Sequence, residues 1–321
     1  EISACLVGSE MCIRDRLITV PLVMEKIFKS KVKPVLDKPM IKILTRIPGI
    51  GTIIFKKIHD GLINAFGGEV GEFILGGAPV NPEIEKWFKK IKLPYTVGYG
   101  MTEATPLLAY AGSSEYVAGS CGKPVDCATV RIDSDDPRHI VGEIQAKGEN
   151  ICIGYYKNPE ETAKVFTPDG WFRTGDLGWL SPDGWLYIKG RLKNMIVGPS
   201  GENIYPEEIE SVLNSHVFVA DSLVTEKEGR LIALVHFNRD ELEARYEELK
   251  YDWEMKKDAW EKRIDELKKE VLDYVNSQVN RFSRLSEVVE EKEEFEMTPT
   301  KKIKRFLYNK RHGKDPVKEE D

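Results

Sequence analysis

Four short strings hold the side chains of this 321-residue chain that could do chemistry. The first is Tyr99-Gly100-Met101-Thr102-Glu103. A hydroxyl beside a carboxylate after a glycine-bearing turn suits a phosphate and its metal. Thr102 can donate to a phosphate oxygen, and Glu103 can hold Mg²⁺, which favours one or two carboxylates plus nucleotide oxygens. The plain alternative is a helix start, where Thr-Glu pairs are common. The second string is Gly76-Gly77-Ala78-Pro79. Its glycines let backbone approach a flat ligand, or simply make a tight turn. The third, Trp171-Phe172-Arg173-Thr174-Gly175-Asp176, ends in an acid that can accept two hydrogen bonds from a ribose diol. The fourth, Thr298-Pro299-Thr300-Lys301-Lys302-Ile303-Lys304-Arg305, is a basic run that alone reads as solvated surface.

Residues 17–66 are apolar and basic with helical spacing (Val20, Val23, Ile27, then Ile54, Ile58, Leu62), punctuated by Pro34, Pro39 and Pro48. Glu72-Phe73-Ile74-Leu75 reads as a buried strand entering the Gly76 turn. Asn81 caps a helix that has Pro82 at its first position and runs to about Ile91. Tyr95-Thr96-Val97-Gly98-Tyr99-Gly100 is the next strand, and strand–helix–strand is the pattern of a parallel α/β layer. From Gly119 to Gly190 short β runs (Val130–Ile132, Glu143–Ala146, Trp185–Ile188) alternate with turns at Asp169-Gly170 and Asp183-Gly184, as in a small β-barrel or sheet. A domain boundary is expected at Gly190-Arg191-Leu192-Lys193. Beyond it come a helix led by Pro206 over Glu207–Leu213, strands near 221–224 and 231–237, and a long charged helix or helical hairpin over 240–279. In that helical stretch Leu242, Tyr246, Leu249, Trp253, Trp260, Ile264, Leu267 and Val271 form one stripe, broken at Lys256/Lys257 and expected to pack on its own domain. The tail after Lys310 is charged and expected to be disordered.

The length allows about two domains. A formal net charge of −6 argues against a general nucleic-acid binder. No apolar run reaches the roughly 18 residues of a membrane span. The five cysteines (Cys5, Cys12, Cys121, Cys127, Cys152) have neither metal nor disulfide spacing and read as thiols in a reducing compartment.

Together, in this order and at these separations, the strings resemble the acyl-adenylate-forming, AMP-binding ligases. The resemblance is closest to bacterial long-chain fatty acid–CoA ligases, to which Val20-Pro21-Leu22-Val23-Met24-Glu25-Lys26-Ile27 and Thr298-Pro299-Thr300 point. It covers about Leu17 to Arg311. It implies a fold of α/β plus α+β class. Residues 17–191 would be the C-terminal part of a large AMP-binding domain, a parallel α/β layer with a small β-barrel, and residues 192–321 a mobile lid. It also implies roles. Gly76, Gly77, Ala78 and Pro79 form the adenine loop. Tyr99 lies on the adenine, within Tyr99-Gly100-Met101; Thr102 meets phosphate and Glu103 positions Mg²⁺. Asp176 and Arg191 hold the ribose, Lys193 is the hinge, and the loop through Gly201 shapes the pantetheine tunnel. Lys302 is the catalytic lysine, with Lys301 as fallback. The substrates implied are ATP (leaving as AMP), a fatty acid and coenzyme A, without nucleic acid or an obligate protein partner. A cytoplasmic location follows, with peripheral association at the inner face of the membrane.

Two departures qualify the resemblance. The Ser/Thr/Gly-rich loop ending in Pro-Lys-Gly, which cradles phosphates in such ligases, is not in this sequence, so the chain alone is expected to be nearly inactive. The stretch from Leu6 to Arg16 resembles a translated transposase sequencing adapter. Residues 1–16 are therefore expected to be non-native and the chain a C-terminal fragment, with exposed apolar surface where a missing half would pack. Two alternatives stand beside this reading: an aryl- or amino-acid-activating ligase of the same superfamily, and a noncatalytic AMP-binding or interaction module.

Overall fold

The computed structural model describes residues 15–36, 38–47, 49–245, 253–298 and 302–312. The chain divides into two compact units, the first ending at Ile188 and the second beginning at Lys189, a few residues ahead of the boundary expected at Arg191/Leu192.

The first unit opens with three parallel strands, β1 (Arg16–Thr19), β2 (Glu72–Leu75) and β3 (Tyr95–Val97), in the order β1-β2-β3. Helical spacing is not what the chain adopts at its start: Leu17-Ile18-Thr19 belong to β1, and Arg16, grouped above with the non-native segment, is its first residue. Phe73 and Leu75 of β2 are fully buried against α1 (Pro21–Ile27), α4 (Ile50–Ala65) and α5 (Pro82–Lys90), with Met24, Leu62 and Phe88 in the same core. α5 begins as its sequence predicts: the Asn81 side chain accepts from the backbone N–H of Glu83 and Ile84, and Pro82 occupies the first turn. Pro34 does not end the helix it was expected to punctuate. A wide π turn (Phe28–Val32) leads directly into α2 (Lys33–Leu36) and lies where the proline ring would otherwise meet the carbonyl of Ser30. α3 (Pro39–Leu44) follows; Pro48 lies outside the described residues.

Two antiparallel sheets complete this unit. One has the order β4-β5-β6 (Tyr99–Gly100, Leu107–Tyr110, Lys123–Pro124). The other has the order β10-β9-β8-β7, from β7 (Ala128–Asp133), β8 (Gly142–Gly148), β9 (Phe172–Leu180) and β10 (Leu186–Arg191), with α6 (Pro159–Val165) between β8 and β9. The turns at Asp169-Gly170 and Asp183-Gly184 form with φ of 81° and 83° at the glycines.

The second unit holds the short pair β11 (Ile196–Val197) and β12 (Asn203–Ile204), then α7 (Pro206–Leu213). β13 (Val219–Lys227) and β14 (Arg230–Phe237) pair antiparallel; β15 (Glu287–Glu290) joins β14 in parallel. α8 (Arg239–Arg245), α9 (Trp253–Asn276) and α10 (Arg305–His312) complete it. α9 runs through Lys256/Lys257 as one helix, so the break there is in the apolar stripe and not in the backbone. Leu242, Ile264, Leu267 and Val271 are buried in one core with Val219, Val235 and Val288, so the described part of the stripe packs on its own domain. Tyr246, Leu249 and the side chains of Trp253 and Trp260 lie outside the described residues, as do residues 1–14 and 313–321. Helix α10 itself carries the chain past Lys310, where disorder was expected to begin.

Candidate functional site

The chemistry-bearing strings of the first unit gather at the C-terminal ends of β2 and β3. Ligands of open parallel sheets bind outside that edge. Gly76 follows β2 directly, its N–H donating to the Thr19 carbonyl (3.1 Å), and Gly77 takes φ +83°. The Gly98 N–H donates to the Leu75 carbonyl (2.9 Å), which sets the Gly76–Pro79 turn beside the entry to Tyr99.

At Gly100 the chain passes so close to β5 that a Cβ would lie 1.9 Å from the Pro106 carbonyl oxygen. Only glycine fits there. The Met101 N–H closes the loop onto the same oxygen at 2.7 Å. Thr102, Glu103 and Ala104 then make one 3₁₀ turn, ended by Thr105 in the left-handed region (φ 48°). Met101, which precedes the turn, makes no side-chain cap bond. Thr102 is exposed and Glu103 half-buried.

A segment that sequence reasoning passed over clamps this turn. The Asn150 side-chain amide donates to the carbonyls of Ala104 (3.0 Å) and Leu107 (2.7 Å), and the Asn150 backbone carbonyl accepts from the Thr105 hydroxyl (2.8 Å). The Cys152 N–H donates to the Glu103 carbonyl at 2.8 Å. The Tyr155 hydroxyl donates to Glu103 Oε1 at 3.0 Å. Desolvation and this carboxylate push the Tyr155 phenol up to about 12, so it is a donor at neutral pH. These partners lie some fifty positions along the chain, and no periodicity or spacing links them.

Asp176 sits on β9 with 6% exposure. A register shift in the β8–β9 pairing between Glu143 and Gln145, with Gly175 at φ 69°, bends the strand just before it. Glu143 holds the bend by accepting from Arg173 (3.1 Å) and from the Gly175 N–H (3.2 Å). The Tyr99 hydroxyl donates to Asp176 Oδ2 at 2.7 Å, across 77 positions. Tyr99 is itself buried, in the cluster of Ala104 and Leu108. Two strings far apart in sequence therefore share one hydrogen bond. Nearby, burial pushes the Cys121 thiol up to about 12, which keeps it protonated.

The other predicted residues belong to the second unit. Arg191 ends β10 and Lys193 lies in the 3₁₀ turn Leu192–Asn194; both are exposed. Gly201 takes φ +84° with open space around it, in the loop joining β11 to β12. Lys302 is exposed. Its N–H donates to the Thr298 hydroxyl oxygen (3.1 Å), its carbonyl accepts from the Thr298 N–H (2.7 Å), and Met297 bridges Ile303. Lys301, Pro299 and Thr300 lie outside the described residues. Arg305, three residues on, is tied to α7 by an ion pair to buried Glu210, whose other oxygen accepts from the Val224 N–H (2.7 Å).

Residues 17–156 match the family model described as AMP-binding enzyme. This match places residues 17–156 in the AMP-binding, adenylate-forming superfamily. It is 31% identical over 220 residues to long-chain-fatty-acid–CoA ligase 1 of Saccharomyces cerevisiae, covering 66% of this chain and 30% of that one. It is 31% identical over 223 residues to 2-succinylbenzoate–CoA ligase of Listeria innocua, covering 68% and 45%. The chain thus spans less than half the length of these curated relatives. Its fold matches the crystal structure of ATP-bound MatB from Rhodopseudomonas palustris with a TM-score of 0.64 at 23% identity, over 97% of this chain and 52% of that one.

The metal expected of an adenylate-forming chain can be tested against the residues present. Among the described residues no group of three or more His, Cys, Asp and Glu could hold an ion alone. Glu103 offers one carboxylate, half-buried, with Oε1 fixed by Tyr155. That suits Mg²⁺ brought in on nucleotide phosphates, where the ion needs few protein ligands. Among the described residues no helix is long and apolar enough to cross a membrane.

Proposed function

We propose that this chain works within an ATP-dependent long-chain fatty acid–CoA ligase, forming acyl-AMP and then the CoA thioester. Residues 17–191 would belong to its AMP-binding domain and residues 192–321 to a lid. The observation that carries the reading is the Tyr99–Asp176 bond, which fixes an acid suited to a ribose diol beside the Gly100-supported Thr102–Glu103 turn. Asp176 would accept from ribose hydroxyls, and Thr102 would donate to a phosphate oxygen. Mg²⁺ bound at Glu103 would neutralise phosphate charge. Lys302 would stabilise charge developing between the fatty carboxylate and the α-phosphate, a positional and electrostatic role. Lys193 would be the pivot that brings Lys302 in for the first half-reaction and the Gly201 loop in for the second.

AMP titration calorimetry on the 321-residue chain tests the nucleotide site directly. Asp176→Ala should weaken AMP binding by about tenfold or more, the worth of charge-assisted hydrogen bonds. Equal affinity in the variant would remove Asp176 from the site. In pyrophosphate exchange the same chain should show almost no turnover, because its sequence holds no glycine-rich Pro-Lys-Gly loop to retain pyrophosphate. Robust exchange would refute that. The succinylbenzoate–CoA ligase relative favours a second reading, an aryl acid as substrate. Thioester formation across fatty and aromatic acids by an enzyme containing this chain separates the two.

A further inference from the structure

The bend ahead of Asp176 is an insertion in one strand. Glu143 of β8 pairs with Leu177 and Gln145 with Arg173, so β9 carries two more residues than β8 between these rungs. Such a bulge re-aims side chains and is common beside ligand sites. The excess is even, so the inward face is kept: Phe172, Thr174 and Asp176 are all buried, at 2%, 6% and 6% exposure. Regular pairing resumes at Leu177 and Gly178, which confines the displacement to Thr174, Gly175 and Asp176. Two side chains fasten the insertion. The Thr174 hydroxyl donates to the Ile144 carbonyl (2.7 Å) and accepts from the Asp176 N–H (3.1 Å). The Gly175 N–H donates to Glu143 Oε1 (3.2 Å), and Glu143 Oε2 accepts from Arg173 (3.1 Å). Glu143 is 8% exposed, whereas the Arg173 side chain is 41% exposed.

We propose that Glu143 is a positioning residue that sets the selectivity of this site for nucleotides bearing a ribose diol. The inference rests on the proposed nucleotide reading, in which Asp176 accepts from ribose hydroxyls. The Tyr99 hydroxyl fixes the Asp176 carboxylate at its tip (2.7 Å), and Glu143 fixes the backbone one residue before it. A fastening for stability alone would not call for a carboxylate. Burying one costs free energy that a pair with a half-exposed arginine does not recover in full. What the carboxylate supplies is an acceptor for the Gly175 N–H, which has no rung on β8. Hydrogen bonds to a diol are short and directed, so a strand shift of about 1 Å would weaken them while contacts to adenine and phosphate remain. Glu143 acts through Gly175 and Asp176 and is not itself a ligand of the ribose.

Calorimetric titration of the full chain with AMP and with 2′,3′-dideoxy-AMP, which lacks both ribose hydroxyls, tests it. The wild type should bind AMP about tenfold more tightly than the dideoxy analogue, the worth of charge-assisted hydrogen bonds. Glu143→Ala removes the acceptor and should cut that preference to about threefold or less, by weakening AMP rather than the analogue. Glu143→Gln keeps an oxygen for the Gly175 N–H and should hold the preference within about twofold of the wild type. Far-ultraviolet circular dichroism verifies that each variant is folded. Glu143→Asp, one methylene shorter, carries the expectation of the alanine variant should that one not fold. An undiminished preference in the folded Ala or Asp variant, equal weakening of both ligands, or a Gln variant as poor as the Ala would overturn the proposal and leave the nucleotide reading standing. A wild type that binds neither ligand, or both equally, would overturn the nucleotide reading itself and this proposal with it.

Discussion

Arg305→Ala should cost the second unit about 3–5 kcal/mol and lower its thermal midpoint by about 10 °C or more. Arg305 is the cationic partner of Glu210, and the two groups are 20% and 11% exposed. Glu210 lies buried on α7, so removing its partner leaves a buried carboxylate without its cation. Its remaining bond, from the Val224 N–H, satisfies one oxygen only. The loss would also loosen the Lys302 backbone, since Arg305 begins α10 three residues after it. The pH dependence has a defined sign. Burial holds the Glu210 carboxyl above the ordinary 4.5, and the Arg305 charge partly opposes this. A carboxyl with a raised folded-state pKa favours folding most below 4.5 and loses that contribution as pH rises through the raised value. Removing Arg305 raises it further. The stability gap between Arg305→Ala and the wild type should therefore narrow on acidification toward 4.5. Between Glu210→Gln and Glu210→Gln, Arg305→Ala the gap should not vary with pH in that range. Thermal unfolding across pH is the measurement; a loss below about 1 kcal/mol at neutral pH would show that the pair is solvated and of little weight.

Gly100→Ala should be the most damaging single methyl in the first unit, at about 3 kcal/mol or more. The added carbon would lie 1.9 Å from the Pro106 carbonyl oxygen, 2.8 Å from its carbon and 2.9 Å from the Leu107 Cα. All three atoms are backbone, so no rotamer change relieves the overlap and β4 must part from β5. The Thr102–Glu103 turn would move with it, and AMP affinity should fall even under conditions where the variant is folded. Gly201→Ala is the useful contrast. Its φ of +84° makes alanine unfavourable by about 1 kcal/mol, but nothing lies within 4 Å of the new carbon. Denaturant unfolding and AMP titration of the two variants separate overlap from backbone strain. Comparable losses in both would count against the close approach at Gly100.

Elements were legible wherever one local signal decided them. Asn81 and Pro82 start α5 because a side-chain acceptor and a proline satisfy the first helical turn without help from elsewhere. Asp169-Gly170 and Asp183-Gly184 turn because glycine accepts positive φ at little cost. The α7 helix follows its apolar period because one face is buried, and β13–β14 follow continuous apolar runs because both faces are buried. Misreadings came where a distant partner decided. Four residues, Arg16–Thr19, are a strand because β2 lies alongside them, and four residues cannot display a period. Pro34 stays within helix because a π turn widens the backbone before it.

The same division holds for the site. By itself the sequence determined which groups are present and in what order: Gly76, the Tyr99–Glu103 string, Asp176, Arg191, Lys193, Gly201 and Lys302. Type and spacing are covalent properties, and they were enough to place the chain in its superfamily. Only the tertiary structure decided what holds each group. The Tyr99 hydroxyl reaches Asp176 across 77 positions, Tyr155 reaches Glu103 across 52, and Arg305 reaches Glu210 across 95. Hydrogen bonds and ion pairs act over about 3 Å, whatever the length of chain between the partners. Their partners therefore become visible only once strands and helices have brought them side by side.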